Sequence, residues 1–195
     1  RRDDLRVHRL VVDSDRGRFT ADGRYAPRDH YRTDLTATAV LPAPFPRPRA
    51  RLGLVARGDL DAMDLAVAGH APDPVRLQLG LRGERGTLRG GSDALDPSLL
   101  AGSGEAGTPI AFSLDADGQG GSAALRGEFR QGDLHAVLQP SRLRLHEQVL
   151  EARPLVVDVF GGRITANGRG DFSQPRQADF RFTVGARGLR FGGDP

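Results

Sequence analysis

The chain has 195 residues, 38% of them apolar and only 6% aromatic, with 26 glycines and no cysteine. The missing cysteines exclude disulfides and thiolate metal sites, and no run of about 18 apolar residues is present to form a membrane-spanning helix. All 28 basic residues are arginine, but 25 acidic residues alternate with them and leave a net charge of +3, which argues against the one-sided basic surface of a nucleic-acid-binding protein.

The first predicted element is a strand–turn–strand unit at Leu10–Arg24, with the sequence LVVDSDRGRFTADGR. The unit recurs at Leu155–Arg169 as LVVDVFGGRITANGR, with ten identities in fifteen aligned positions and no gap. In the second copy an apolar strand enters a tight turn at Gly161-Gly162, because glycine tolerates the positive φ that a chain reversal requires. We therefore predict that both copies have the same shape, with Gly17 and Gly162 in equivalent turns.

The segment that follows the first unit is rich in proline. Pro42–Pro48 holds four prolines in seven residues, which excludes a central strand because proline cannot donate to a ladder. We interpret it as an extended linker or edge crossing between a β-repeat unit at 1–41 and a continuing β-repeat array at 49–195. Since the chain begins at Arg1 rather than Met, we expect it to be a fragment of a longer protein.

Beyond the proline-rich segment, apolar and polar residues alternate with the period of two that is typical of a strand with one dry and one wet face. The pattern is clearest at Val75–Leu81, Ile110–Leu114 and Phe180–Val184. Clusters of glycine, proline and aspartate separate these runs and favour hairpin turns. The best helical candidate is Asp93–Leu100, where Asp96-Pro97 is suited to begin a single turn. The sequence therefore predicts an all-β fold, an elongated antiparallel β-repeat array with at most one short helical turn.

Motifs for catalysis and metal binding are missing from the sequence. The five histidines are not spaced as metal ligands, and Ser122 lacks the second glycine of a nucleophile elbow. Asp115–Gly120 begins like a calcium loop, but Arg126 occupies the twelfth position, where a bidentate Glu is required. We therefore predict no catalytic residue, no cofactor and no metal site, and we do not expect the protein to be an enzyme.

The C-terminal part of the chain resembles the repeat unit of the TamB and AsmA-like family. That unit is an apolar strand, a Gly-Gly turn and a short strand that ends in glycine, as in Leu155–Gly168. Leu95–Leu100 followed by Pro109–Leu114 is similar to the segments that interrupt the TamB array. The resemblance extends from about Leu5 to Phe191, is weakest between Pro42 and Gly91, and does not distinguish TamB from other AsmA-like proteins.

The resemblance implies a long β structure, a β-taco or open tube, that is anchored to the inner membrane through a segment outside this chain and crosses the periplasm. It also implies transport of phospholipid toward the outer membrane, and assembly of outer-membrane proteins with a TamA-like β-barrel partner bound through other parts of the protein. These functions belong to cell-envelope biogenesis, lipid transport and protein secretion, and they involve no nucleic acid.

A tube of this kind would present its apolar face to phospholipid acyl chains in a groove. The candidate groove-lining residues are Val75, Leu77, Leu79, Leu81, Ile110, Phe112, Leu114, Val157, Ile164, Phe180, Phe182 and Val184. The alternative is that these residues fill a closed core in a surface or adhesin-like β-repeat scaffold that binds other proteins. An open apolar face favours the groove, and a closed core favours the scaffold.

Overall fold

The structure, a computed structural model, describes residues 4–43, 47–101, 105–171, 173 and 179–190. It is all-β, with 3% helix and thirteen antiparallel strands in one open sheet, as the sequence predicts for an antiparallel repeat array. The elements are β1 (Leu5–Ser14), β2 (Gly17–Ala26), β3 (Arg32–Val40), β4 (Arg51–Gly58), β5 (Ala62–His70), β6 (Pro74–Arg82), β7 (Arg85–Leu95), α1 (Pro97–Ala101), β8 (Ile110–Gln119), β9 (Ser122–Gln131), β10 (Leu134–His146), β11 (Val149–Val159), β12 (Gly162–Asp171) and β13 (Asp179–Arg187).

The sheet is a meander in which the spatial order of the strands equals their order in the chain. β3 pairs directly with β4, so the sheet continues without interruption past the proline-rich segment between them. Of that segment, residues 44–46 lie outside the described residues, and its two ends connect neighbouring strands at one end of the sheet. The described strands on the two sides of this segment thus belong to a single sheet.

The sheet has one apolar and one polar face. Successive residues of a strand project to opposite sides, and directly opposed residues of neighbouring strands project to the same side, so the register aligns the apolar residues of all strands. One row of opposed residues, which we call the apolar row, crosses all thirteen strands and contains no polar side chain. It consists of Leu10, Ala21, Ala37, Leu54, Val67, Leu77, Gly90, Leu114, Gly127, Leu138, Val157, Ile164 and Ala186. We call the side of the sheet that carries this row the apolar face and the other side the polar face.

The two copies of the repeat have the same register, which confirms the predicted repeat. Val12 opposes Phe19 and Ser14 opposes Gly17 in the first hairpin, as Val157 opposes Ile164 and Val159 opposes Gly162 in the second. A register shift precedes the repeated segment in both hairpins. Gly17 and Gly162 are equivalent, since each begins the returning strand.

The turn of the second copy lies one residue earlier than the predicted Gly161-Gly162. The pairing of Val159 with Gly162 closes a two-residue turn at Phe160-Gly161, and both residues have positive φ, 51° and 69°. In the first hairpin the positive φ falls on Gly17 instead, at 126°. The two turns therefore have the same length and place but different backbone geometry.

The predicted helical turn is present as α1, but Asp93–Leu95 of the predicted segment belong to β7, so the helix begins only at Pro97. It packs on one end of the sheet. The side chain of Asp96 accepts a hydrogen bond from the backbone N–H of Ser98 at 2.9 Å. Pro97 occupies the first helical position, where a backbone N–H has no partner within the helix and its absence costs nothing. Leu99 is only 2% exposed and packs with Ala50 and Ala71 in a small apolar cluster, which we call the rim cap. Leu41, Ala43, Val75 and Leu95 pack against it.

An ion pair between Arg47 and Asp96 connects the segments that form the rim cap. Arg47, from the proline-rich segment, donates from Nη2 to the Asp96 carboxylate at 2.6 Å and to the Ser98 hydroxyl at 2.7 Å. The two side chains are 15% and 10% exposed, the lowest values among the ion pairs of the described residues. The backbone N–H of Gly107 also donates to Asp96, at 3.2 Å. The pair thus joins the loop after β3 to both ends of the β7–β8 connection.

Candidate functional site: the apolar face

All twelve residues predicted to line a groove lie on the apolar face. Four are on β6, three each on β8 and β13, and one each on β11 and β12, and the register places them on the same side of the sheet as the apolar row. The reason is that a period-two pattern fixes the face of every residue in a strand once a single pairing is fixed. Sequence alternation is therefore sufficient to select residues of one face from five strands.

The apolar face is exposed at the two edge strands and half-buried on the central strands. Phe182 and Val184 on β13 are 61% and 64% exposed, and Leu5, Leu10 and Val12 on β1 are also exposed. The buried apolar residues of the described chain are few and small: Ala26, Ala50, Ala56, Ala71, Leu99, Ala152 and Val159. The described strands form one open sheet that is not closed into a barrel. Exposed apolar surface of this kind occurs at sites that contact proteins, membranes or ligands.

A depression of about 320 Å³ lies on the face between β1 and β5. Its apolar lining is Leu10, Val12, Phe19, Ala21, Ala37, Ala39, Leu52, Leu54 and Val67. None of these residues is among the twelve predicted ones. Two sequence signals identify this part of the face. Apolar and polar residues alternate in Met63–Val67. The repeat also makes Val12 equivalent to the predicted residue Val157.

Cross-strand ion pairs cover the polar face. Arg18 on β2 donates from Nε to Asp13 on β1 at 2.6 Å, and in the second repeat copy Arg163 donates to Asp158 at the same distance. Hydrogen bonds from these arginines lower the pKa of both aspartates. Comparable pairs join β3 to β4 through Arg57 and β8 to β9 through Arg126. The two faces therefore differ sharply in chemistry, and only the polar one is suited to water.

The rim cap covers one end of the apolar face. Leu99 packs with Val75 and Leu95, whose side chains lie on that face at the ends of β6 and β7. The cap therefore covers the apolar face at this end, whereas Phe182 and Val184 on β13 are exposed.

Within the described ranges, no group of three or more His, Cys, Asp or Glu side chains is arranged to hold a metal ion. The five-residue helix in the same ranges is too short to cross a membrane. Comparisons of the chain with family models, with curated proteins and with solved structures found no match.

Proposed function

We propose that this chain is a segment of a TamB- or AsmA-like envelope protein, and that its apolar face holds phospholipid acyl chains as they move through the periplasm between the inner and outer membranes. The observation that carries the proposal is the apolar row, which crosses thirteen strands without a polar side chain. An inner-membrane anchor and a TamA-like partner for outer-membrane protein assembly belong to the proposal through other parts of the protein.

The dimensions of the face suit this function. Thirteen strands at about 4.8 Å spacing give a row roughly 58 Å long, about twice the ~30 Å hydrocarbon core of a bilayer. Burying a CH₂ group is worth roughly 0.8 kcal/mol, so a 16-carbon acyl chain gains on the order of 13 kcal/mol before ordering costs.

The uniform chemistry of the row suits movement as well as binding. Its side chains are Leu, Val, Ile and Ala, with glycine at two places, so neighbouring positions offer an acyl chain similar contacts. A lipid at any one strand then has no deep minimum that would trap it. No catalytic group takes part, since the passenger is moved and not converted.

Photocrosslinking tests the proposal on β13, where neighbouring residues face opposite sides. We expect a photoreactive amino acid at Phe182, on the apolar face, to form a phospholipid adduct at several times the yield of one at Thr183, on the polar face, when the protein is expressed in a bacterial envelope or mixed with vesicles. Val184→Arg should reduce the adduct at position 182, because a passing acyl chain then desolvates a charge. Thr183→Arg serves as the control that adds the same charge to the other face.

The stability of the Phe182→Arg variant distinguishes an open groove from a closed core. Because Phe182 is 61% exposed on the last strand, we expect the β signal in far-UV circular dichroism to be retained and the free energy of unfolding to change by less than about 1 kcal/mol. Unfolding of this variant, together with equal lipid adducts at positions 182 and 183, would contradict the groove and favour the adhesin-like scaffold.

A further inference from the structure

A second depression, of about 620 Å³, lies on the polar face between β8 and β11, and we call it the arginine depression. The charged side chains that line it are Asp117, Arg142, Arg144, Glu151 and Arg153. Across the β9–β10 pair, Arg142 lies opposite Ala124. Arg144 lies opposite Ser122 in the same pair. Because alanine and serine have short side chains, the two arginines border a space in the face that no long neighbour on β9 fills.

Two bulges shape the sheet beside the arginine depression. Relative to β9, β10 carries one extra residue between Leu138 and Ser141. Relative to β12, β11 carries one between Ala152 and Leu155. The hydroxyl of Ser141, which is 1% exposed, accepts a hydrogen bond from the backbone N–H of Val156 at 3.0 Å and so joins the two bulged strands. Each bulge adjoins an arginine of the depression, and bulges re-aim the side chains next to them.

The acidic side chains of the arginine depression already have basic partners. The carboxylate of Asp117 accepts two hydrogen bonds from Nη2 of Arg89, both at 3.0 Å. The carboxylate of Glu151 lies 3.5 Å from Nη2 of Arg153. These two pairs compensate each other's charges, so they do not neutralise the remaining arginines of the depression.

The remaining arginines are Arg142 and Arg144, and within the described residues neither forms an ion pair or a side-chain hydrogen bond. Arg144 opposes Glu151 in the register, but no ion pair joins them. Unpaired arginines also occur elsewhere on the polar face, for example Arg51 and Arg76. What distinguishes the pair on β10 is that both side chains line one depression, which therefore carries an excess of two positive charges.

This arrangement suits a small oxyanion with two negative charges. The Cα atoms of residues two apart in a strand are separated by roughly 6.6 Å, so Arg142 and Arg144 can both reach a group that lies between them. A phosphate monoester carries a charge of about −1.5 to −2 at neutral pH, and its oxygens accept forked, charge-assisted hydrogen bonds from arginine. The hydroxyl of Ser122 is a further donor on the same side of the depression.

We propose that the arginine depression binds a phosphate group, held by the guanidinium groups of Arg142 and Arg144 and by the hydroxyl of Ser122. The group is either that of a soluble phosphate compound or that of a lipid headgroup, since both present the same oxygens. The inference goes beyond the proposed function, because it concerns the polar face and holds whether or not the apolar face carries lipid.

Titration with inorganic phosphate, followed by the chemical shifts of the backbone amides, tests the site. We expect saturable shifts on β9 and β10. The double variant Arg142→Gln, Arg144→Gln should raise the Kd for phosphate at least about tenfold, because two charge-assisted contacts are lost. The double variant Arg51→Gln, Arg76→Gln removes the same charge at least four strands away and should change the Kd by less than about twofold.

Two further variants separate this site from net charge and from the apolar face. Arg142→Lys, Arg144→Lys keeps both charges but loses the forked geometry, so its Kd should lie between those of wild type and the glutamine variant. Val184→Arg, on the apolar face, should bind phosphate as wild type does. The proposal is overturned if no saturable shifts appear on β9 and β10, or if the two glutamine double variants weaken binding equally.

Vesicles identify the source of the phosphate group. Phosphatidylcholine vesicles with and without phosphatidic acid are sedimented with wild type and with Arg142→Gln, Arg144→Gln. A preference for phosphatidic acid that only wild type shows assigns the site to a lipid headgroup. Saturable binding of inorganic phosphate without such a preference assigns it to a soluble phosphate compound.

Discussion

Leu99→Ala is expected to lower the free energy of unfolding by about 3 kcal/mol, within the range for a buried leucine that leaves a cavity. Leu99 is 2% exposed and is the largest fully buried apolar side chain in the described part of the chain. Its neighbours Ala50 and Ala71 are too small to fill the space it would leave. Denaturant-induced unfolding followed by circular dichroism measures the change.

The adjacent Leu100 is the matched control for this prediction. It lies on the same short helix but is 41% exposed, so Leu100→Ala should change the free energy of unfolding by no more than about 0.5 kcal/mol. Equal losses from the two substitutions would mean that the helical turn contributes through its backbone alone, and that the rim cap is not a packing unit.

Asp96→Asn is the second substitution for which we expect a large effect. It keeps the size of the side chain but removes the negative charge beside the Arg47 guanidinium, which is only 15% exposed. The amide nitrogen cannot accept a hydrogen bond, so the side chain loses either the bond from Arg47 at one oxygen or the bonds from Ser98 and Gly107 at the other. We expect a loss of about 2–3 kcal/mol in the free energy of unfolding, because a partly buried cation then lacks its counter-charge.

The pH dependence of this loss has a definite sign. Burial alone raises the pKa of Asp96, but hydrogen bonds from Ser98, the charge of Arg47 and a hydrogen bond from Gly107 outweigh it, so the pKa is lowered in the folded protein. The stabilisation is therefore fully present above the unfolded-state pKa of about 3.9 and is lost as the pH falls below it. The difference between wild type and Asp96→Asn should shrink when unfolding is measured below about pH 4.

An exposed ion pair provides the control for Asp96. Arg82 donates two hydrogen bonds to the Asp64 carboxylate, at 2.8 and 2.7 Å, but both side chains are more than half exposed. Asp64→Asn should therefore unfold at nearly the same denaturant concentration as wild type, because water and salt screen such a pair. A loss as large as that of Asp96→Asn would show that burial does not distinguish the two pairs.

The fold and the apolar face were predictable because both follow from a period of two. Once Val75–Leu81 is identified as a strand, its apolar side chains must share one face, and the same logic applies at Ile110–Leu114. The repeat was also detectable in the sequence, because two segments that are identical at ten of fifteen positions are expected to pair their strands in the same register. The turn at Phe160-Gly161 was misplaced because Gly161-Gly162 suits a reversal equally well, and only the pairing of Val159 with Gly162 decides between them.

The rim cap was not predictable from the sequence. Arg47 and Asp96 are 49 residues apart, and neither belongs to a periodic pattern or a motif. The proline-rich segment predicted an extended connection, but its composition does not indicate which loop it will contact. Ala50 and Ala71 gave no signal either, because a buried alanine is recognised only by what surrounds it. Contacts between loops depend on the fold of the whole sheet, whereas the alternation of apolar and polar residues is a property of each strand alone.

The meander order has a consequence for how the molecule folds and exchanges with solvent. Each strand pairs with its neighbour in the chain, so every ladder closes a short loop at a small entropic cost, and pairing can spread outward from any hairpin. Stability then resembles a sum of interface terms between adjacent strands, as in repeat proteins. The rim cap ties the connections of β3 through β8 into one cooperative unit, so the amide hydrogens of β5–β7 should exchange most slowly. Those of β1 and β13 should exchange first, and the sheet should unzip from its two edges toward the cap.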